Sequence, residues 1–386
     1  MSFTRRYQNI EDFAAAARRR LPRIFADYIE GGAFSETTMR RNRSGFDGWA
    51  LRQRVLRPLG APDLSTEVLG RRQALPFGPG PVGFLGLYRR DGDVLIAQEA
   101  AARGVPMVLS TFSINGLQTI ARRSGQVPQF QLYLDIDADW TDSYVAAAEA
   151  AGSDTIFVTV DTAITSNRER DGRTGFRSVT RIDPRLFCQF AAKPVWALDL
   201  LRNGFPQVEL VAGRPEYGNG ALAQAVALSQ RLDKNLTWEK IRRLRQRWKG
   251  RLIVKGISDV EDAEIARAEE VDGIVLSNHG GRQLDHGLST VELIPEIRAA
   301  LGPDKALYVD SGFRRGSDVV KALALGADFV LMGRPFAWAV AAEGRRGVAA
   351  AFDMLAGEIG TTLQLMGMNS VAELKAEGAD ALRRIG

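Results

Sequence analysis

Lys255, His279 and Arg282 have the types and spacing for acid–base chemistry on an anion. Lys255 follows the apolar run Leu252–Val254. His279 and Arg282 follow Gly273–Leu276, within Ser277-Asn278-His279-Gly280-Gly281-Arg282. A guanidinium holds a carboxylate through two parallel hydrogen bonds, and an imidazole takes a proton near neutral pH. The paired glycines let the backbone come close to a ligand. The plainer alternative makes His279 a hydrogen-bonded turn residue and Arg282 a surface charge. The chain has only two histidines, 279 and 286, so any histidine chemistry must use one of them.

The elements that must position these side chains are legible. Leu252–Val254 and Gly273–Leu276 are short, apolar and without alternation, as strands buried on both faces are. Residues 259–269 between them carry a helical pattern opened by Asp259 as N-cap. Lys255 then lies just past the first strand of a β-α-β unit, at the strand ends where parallel α/β proteins do chemistry. Further strand candidates are Phe77–Val82, Pro106–Ser110, Phe130–Leu134, Ile156–Val160, Ala306–Val309 and Phe329–Met332. Helical patterns cover 93–103, 140–151, 290–300 and 316–326. Eight strands alternating with helices predict a closed (β/α)8 TIM barrel, a single domain over 1–386. A helical segment over 9–32 precedes it. Tyr28 stands there four residues after Ile24 and is core by default. The connection from Asp161 to Leu252 is too long for one loop and the helix expected at 237–249. Residues 165–235 are therefore read as an insertion with a functional or mobile role.

Composition narrows the function. The 386 residues are 45% hydrophobic, with a net charge of +5. Arginine clusters are interspersed with acids and apolar residues, which favours solvated helix faces. An anionic cofactor, an acidic substrate or an anionic membrane surface also fits. No nucleic-acid motif appears. Cys188 is the only cysteine, so a disulfide framework and a cysteine metal cluster are excluded, and two histidines make a zinc site improbable. The N-terminus has no signal-peptide core, and no run of about 18 apolar residues occurs to span a bilayer. A cytoplasmic location is the default expectation.

The strand ends collect the remaining candidates. Pro81-Val82-Gly83 follow the first strand and Ser110-Thr111-Phe112 the second. Gln131 and Tyr133 share a face of the third, and Thr159 and Asp161 end the fourth. The seventh leads into Asp310-Ser311-Gly312-Phe313-Arg314 and the eighth into Gly333-Arg334. Glycine- and arginine-bearing loops after strands seven and eight are a common phosphate site in barrels; the alternative for Arg314-Arg315 is a solvated helix start. No dinucleotide fingerprint follows the first strand. A phosphate-bearing cofactor among polar strand ends points to FMN, with Lys255 placed to stabilise negative charge on a reduced flavin. A Schiff-base lysine, as in barrel aldolases, is the rival reading of Lys255.

SNHGGRQLD, DSGFRRGSDVVKALALGAD, FQLY, TVD and LIVKG together resemble the FMN-dependent 2-hydroxy-acid dehydrogenases and oxidases, over about residues 9–370. The resemblance implies His279 as base, Asp161 as its charge partner, and Tyr28, Arg282 and Arg168 around the substrate carboxylate. It places Tyr133 by the substrate hydroxyl and Lys255 against the flavin. Gln131, Thr159, Ser110 and Ser277 would bind ring and ribityl chain, with Pro81, Val82 and Gly83 along one ring edge. Asp310, Gly312, Arg314, Gly333 and Arg334 would hold ribityl and phosphate. There are departures. The first loop reads Pro-Val-Gly where Pro-Thr-Ala or Pro-Thr-Gly is usual. Phe112 replaces a tryptophan of glycolate oxidases, and Thr174-Gly175-Phe176 replaces an Asn-Arg-Phe run.

The expected reaction is oxidation of an (S)-2-hydroxy acid, mandelate or another bulky acid before lactate. The local resemblance of DSGFRRGSDVVKALALGA and KPVWALDLLRNGFPQ to mandelate dehydrogenases carries that preference. Gly83 favours a dehydrogenase passing electrons to a quinone over an oxidase producing peroxide; a non-enzymatic FMN carrier is the remote reading. Residues 181–202 carry apolar and aromatic side chains flanked by Arg181, Arg185, Lys193 and Arg202. Peripheral docking on the inner face of the cytoplasmic membrane is expected of that segment, against a lid or a subunit interface. Pro194 should break it into two helices. The expected assembly is a homotetramer.

Overall fold

A computed structural model describes residues 3–176 and 183–385. Eight parallel strands form its centre: β1 Phe77–Pro79, β2 Val108–Ser110, β3 Gln129–Leu132, β4 Thr155–Thr159, β5 Arg251–Ile257, β6 Gly273–Leu276, β7 Ala306–Val309 and β8 Phe329–Met332. They pair in sequence order from β2 to β8, and β8 pairs with β1, so the sheet curls into a nearly closed TIM-type barrel. At the remaining seam, among the described residues, no strand ladder joins β1 and β2. There the edges abut instead: a Cβ on Gly78 would lie 2.8 Å from the Pro106 carbonyl oxygen. The loops beyond them are joined by Phe84 N–H donating to Phe112 O at 2.8 Å.

The helical patterns fall where the periodicity predicts them. α1 is Gly92–Ala102, α2 Leu117–Ser124, α3 Ala138–Ala151, α4 Trp238–Arg247, α5 Val260–Ala268, α6 Thr290–Leu301, α7 Gly316–Ala324 and α8 Arg334–Glu343. Asp259 caps α5, its carboxylate accepting from Glu261 N at 2.9 Å. Strand residues pointing inward from the floor of the barrel, Val108, Phe157, Ile253, Val275, Tyr308 and Phe329, pack as one layer. Val68, on a two-stranded hairpin of Thr66–Val68 with Arg71–Gln73, joins that layer from below. The lower end is thus plugged with apolar side chains, and polar side chains that enter the barrel must do so from the other end.

Two findings at β5 depart from expectation. The strand runs past Lys255 to Ile257, so Lys255 lies inside it. A register shift against β6 falls between Lys255 and Ile257. Gly256 makes it possible: its φ is +113°, and a Cβ there would sit 2.7 Å from Asp161 Cβ. The bulge therefore brings β4's last carboxylate against β5 at the point where Lys255 turns inward.

Two N-terminal helices, Ile10–Arg20 and Arg23–Glu30, lean on the barrel, the first against α8. Between β4 and α4, the described residues form helices Glu169–Thr174, Pro184–Ala191, Pro194–Asn203 and Ala221–Gln230. Pro194 starts the third of these, as a residue lacking the N–H a helix interior needs. Arg181 lies outside the described residues. No helix of the described residues is long and apolar enough to cross a membrane.

Candidate active site

The open end of the barrel holds a cavity of about 1390 Å3, mouth included. Tyr28, Pro81, Val82, Gly83, Ser110, Phe112, Gln131, Tyr133, Thr159, Arg168, Lys255, His279, Arg282, Asp310, Gly312, Arg314, Gly333 and Arg334 all line it. Asp161 and Ser277 reach it through the side chains they hold. Tyr28 is therefore a wall residue and not simply core.

Its centre is a chain of five groups, Asp161, His279, Ser277, Lys255 and Asp310. His279 Nδ1 lies 3.0 and 3.2 Å from the two oxygens of Asp161. Ser277 Oγ accepts from the His279 N–H at 3.0 Å and from Lys255 Nζ at 2.8 Å. Lys255 Nζ also pairs with Asp310 Oδ2 at 2.9 Å. His279 takes φ +56°, a left-handed conformation that histidine adopts more readily than most residues with a side chain. With Nδ1 engaged, Nε2 is the ring nitrogen left for a ligand.

Electrostatics follow from burial. Burial pulls the imidazole of His279 below its ordinary 6.5, outweighing the pull of Asp161 in the other direction. The ring is neutral at neutral pH. Burial pushes the Asp161 carboxyl up, but His279 and Lys255 outweigh it and hold it below the ordinary range. Burial pulls Lys255 down, but Asp310 and Asp161 leave it above its ordinary value. The site thus keeps a charged lysine, a charged aspartate and a neutral base side by side.

On the β2–β4 side, Ser110 Oγ donates to Gln131 Oε1 at 3.1 Å, and Gln131 Nε2 donates to Thr159 Oγ1 at 2.9 Å. All three are buried. Opposite them the cavity is cationic. Arg282 donates to the carbonyls of Tyr28 and Gly31 at 2.6 and 2.7 Å, and its guanidinium carbon lies 4.7 Å from the centre of the Tyr28 ring. Arg168 Nε donates to the Arg282 carbonyl at 3.3 Å. Arg334 donates to the carbonyls of Ile29, Gly280 and Gly31. Arg314 donates to the Phe313 carbonyl and lies over Trp338. Among the described residues neither Arg314 nor Arg334 has a carboxylate partner. Burial brings Arg314 down to about 10, with Arg43 adding to it. Burial, then repulsion from Arg282, Arg314 and Arg168, pulls Arg334 well down. Desolvated, mutually repelling guanidiniums beside the glycine-bearing loops Gly312 and Gly333 need an anion. The donor set fits FMN: neutral polar groups and an ammonium for its ring, and two guanidiniums with backbone N–H groups for its phosphate.

Tyr28, Phe112 and Tyr133 were legible in sequence; Phe84 and Phe176, which complete an aromatic wall with them, were not. Phe176 stacks on Tyr28 with ring centres 4.0 Å apart, and Phe84 stacks on Phe112 at 5.6 Å. Phe112 meets Tyr133 at 4.9 Å. Ala225, Ser229 and Leu232 add a further wall from helix Ala221–Gln230 and the turn after it. That turn is held beside Tyr133, with Asp233 N–H donating to Leu134 O at 2.9 Å. Phe84 sits directly after the named loop and its φ of +62° is not predictable from its type. The Phe176 and Ala225–Leu232 contacts cross the insertion, where no local pattern indicates the partner.

Comparison with known proteins gives one answer. A family model described as FMN-dependent dehydrogenase matches residues 17–381. An L-lactate dehydrogenase of Caulobacter vibrioides is 41% identical over 365 residues, covering 94% of this chain and 95% of that protein. One from Pseudomonas syringae pv. syringae is 39% identical over 374 residues, covering 95% and 96%. The solved structure of the monotopic membrane protein (S)-mandelate dehydrogenase superposes with a TM-score of 0.92 at 36% identity, covering 98% of this chain and 99% of that one. A mandelate oxidase gives 0.82 at 32% identity, covering 98% of each.

Proposed function

This chain belongs to the FMN-dependent dehydrogenase family, and on that premise we propose that it oxidises a bulky, mandelate-like (S)-2-hydroxy acid to the 2-oxo acid and passes the electrons to a quinone. It is an FMN-dependent 2-hydroxy-acid dehydrogenase. FMN, when bound, supplies the acceptor for the two electrons that leave the substrate. Ser110, Gln131, Thr159, Lys255 and Ser277 would hold its ring and ribityl chain. Asp310, Gly312, Arg314, Gly333 and Arg334 would hold ribityl and phosphate, and Pro81, Val82 and Gly83 would run along one ring edge.

The residues divide the remaining work. Arg282, Arg168 and Tyr28 fix the substrate carboxylate, which sets the hydroxyl-bearing carbon before His279. Nε2 of the neutral imidazole takes a proton from the substrate, and Asp161 stabilises the imidazolium that results. Tyr133 donates to the substrate oxygen. Loss of two electrons and two protons converts the alcohol carbon to a ketone.

The observation that carries the bulky-acid reading is the set Phe84, Phe112 and Phe176, packed on Tyr28 and Tyr133, three rings where a methyl side chain needs none. Lactate is the second reading, favoured by the L-lactate dehydrogenase relatives. Anaerobic mixing of the holoenzyme with glycolate, (S)-lactate and (S)-mandelate separates them. Fastest flavin bleaching by mandelate is expected; fastest bleaching by glycolate or lactate rejects the bulky acid.

Docking at a membrane interface is supported by helices Pro184–Ala191 and Pro194–Asn203. Leu186, Phe190 and Trp196 are buried, the last two against Phe25 of the N-terminal helix Arg23–Glu30, while Phe187, Val195, Leu198 and Leu201 are exposed, as are Arg185 and Arg202. Sedimentation with anionic vesicles, lost on Phe187→Ser with Leu201→Ser, is the expected behaviour. A homotetramer is the assembly we assign, to be read by light scattering.

A further inference from the structure

A second cavity, about 890 Å3 with its mouth, lies under helix Pro194–Asn203. Its apolar surface comes from Leu87, Ile114, Trp196 and Leu200. Trp196 Nε1 donates to the Leu87 carbonyl at 2.8 Å, which fixes the helix over the short turn Leu85–Tyr88. Outward, the same helix exposes Val195, Leu198 and Leu201. Inward, the cavity ends on Tyr88, which is fully buried and also lines the active-site cavity. Tyr88 Oη lies 3.5 Å from the carbonyl oxygen of Gly83, a wall residue of that cavity. Tyr88 thus borders both spaces.

The lining chemistry selects the ligand. Arg89 and Arg90 are balanced by Asp91, Asp199 and Glu209, so no excess of positive charge awaits an acid or a phosphate. Glu209 is engaged with the Gly116 N–H, and Asp91 with Arg123. The uncharged polar groups are the amides of Asn115 and Gln207. Asn115 Oδ1 is buried without a hydrogen-bond partner among the described residues. The cavity therefore suits a neutral, planar, mainly apolar molecule with a few hydrogen-bonding oxygens.

We propose that this second cavity is the quinone site, with Tyr88 bordering both it and the active-site cavity; the inference rests on the quinone-acceptor reading above. The hydroxy acid loses two electrons and two protons. The quinone gains two electrons and takes two protons from solvent, becoming a quinol. Its carbonyl oxygens accept hydrogen bonds, and as hydroxyls they donate. An amide such as that of Gln207, exposed at the cavity wall, meets both states because it carries a donor and an acceptor.

Equilibrium dialysis of a short-chain ubiquinone against oxidised holoenzyme tests this without turnover. An excess of the 2-oxo product fills the active-site cavity. The expected result is binding of the quinone in the presence of the product, weakened about tenfold or more by Leu200→Trp, which fills the cavity. Gln207→Leu is the second variant and should weaken binding several-fold; flavin content reports folding in both. The KM for the quinone should rise in step relative to that for ferricyanide. Displacement of quinone by product, or unchanged binding in both variants, overturns the site while leaving the quinone acceptor standing. Failure of the wild-type enzyme to bind or reduce the quinone at all overturns the acceptor reading and the site with it.

Discussion

Asp161 holds His279 by one edge of its ring, both carboxylate oxygens lying within 3.2 Å of Nδ1. The pairing fixes the tautomer, turns Nε2 toward the substrate and supplies the negative charge an imidazolium requires. Asp161→Asn keeps the shape and removes the charge. It should lower kcat by about two to four orders of magnitude. Asp161 works against burial to raise the His279 pKa, so its loss lowers that pKa further. The acid limb of kcat/KM, set by the neutral fraction of His279, should lie below pH 6.5 in the wild type and move lower still in the variant. A limb that stays in place or moves up rejects the pairing. Stopped-flow pH profiles give the answer.

Lys255 is buried between Ser277 and Asp310. Lys255→Met leaves the Asp310 carboxylate without its partner, an effect of about 3 kcal/mol where a buried pair is broken from one side. The variant should melt lower and lose FMN on gel filtration. Retention of full flavin with unchanged Tm would separate Lys255 from the cofactor. A Schiff-base enzyme would instead be trapped covalently by borohydride in the presence of substrate, which is not expected here.

Gly83 has no room for a side chain: a Cβ there would lie 2.8 Å from Phe112 Cβ. In sequence the same position reads as a flavin-edge residue that favours a dehydrogenase over an oxidase, with no sign of its contact with Phe112. Gly83→Ala must displace Phe112, so the kcat/KM ratio of mandelate to lactate should change by about tenfold. Phe112→Ala in the same chain should absorb that change, giving a strongly non-additive pair. Independent, additive effects would mean the two loops are not coupled.

Asp93, near the start of α1, is fully buried and accepts from the Asn115 N–H at the loop that carries Phe112. Burial pushes its pKa up to about 7 from 3.8. The folded state then binds this proton more tightly than the unfolded chain. Its contribution is fully present below about pH 4 and is lost as pH rises through about 7. Asp93→Asn, uncharged throughout, should show a Tm that falls less than that of the wild type from pH 5 to 8, roughly the window of that titration. Parallel Tm curves would mean Asp93 does not titrate there.

Most of the barrel was legible because each strand is a short apolar run and each helix carries its own period and cap. Gly273–Leu276, Ala306–Val309 and Phe329–Met332 match residue for residue. The candidate site was legible where its side chains follow strands, as with His279 and Asp161; Lys255 lines the same cavity from inside its strand. What was not legible depends on long-range contact. The bulge at Gly256 packs its backbone against Asp161, a residue far away in sequence. The stack of Phe176 on Tyr28 joins the insertion to an N-terminal helix. The hairpin containing Val68 is too short to register as a pattern, yet it closes the barrel floor.

The central claim is that His279 is the base of a flavin-dependent oxidation of a 2-hydroxy acid. Anaerobic stopped-flow mixing of His279→Gln with (S)-mandelate addresses it directly, because flavin binding and flavin reduction are read from the same spectrum. The account predicts a yellow protein with normal flavin content whose visible band persists about a thousandfold longer than in the wild type. Bleaching within about tenfold of the wild-type rate would contradict it.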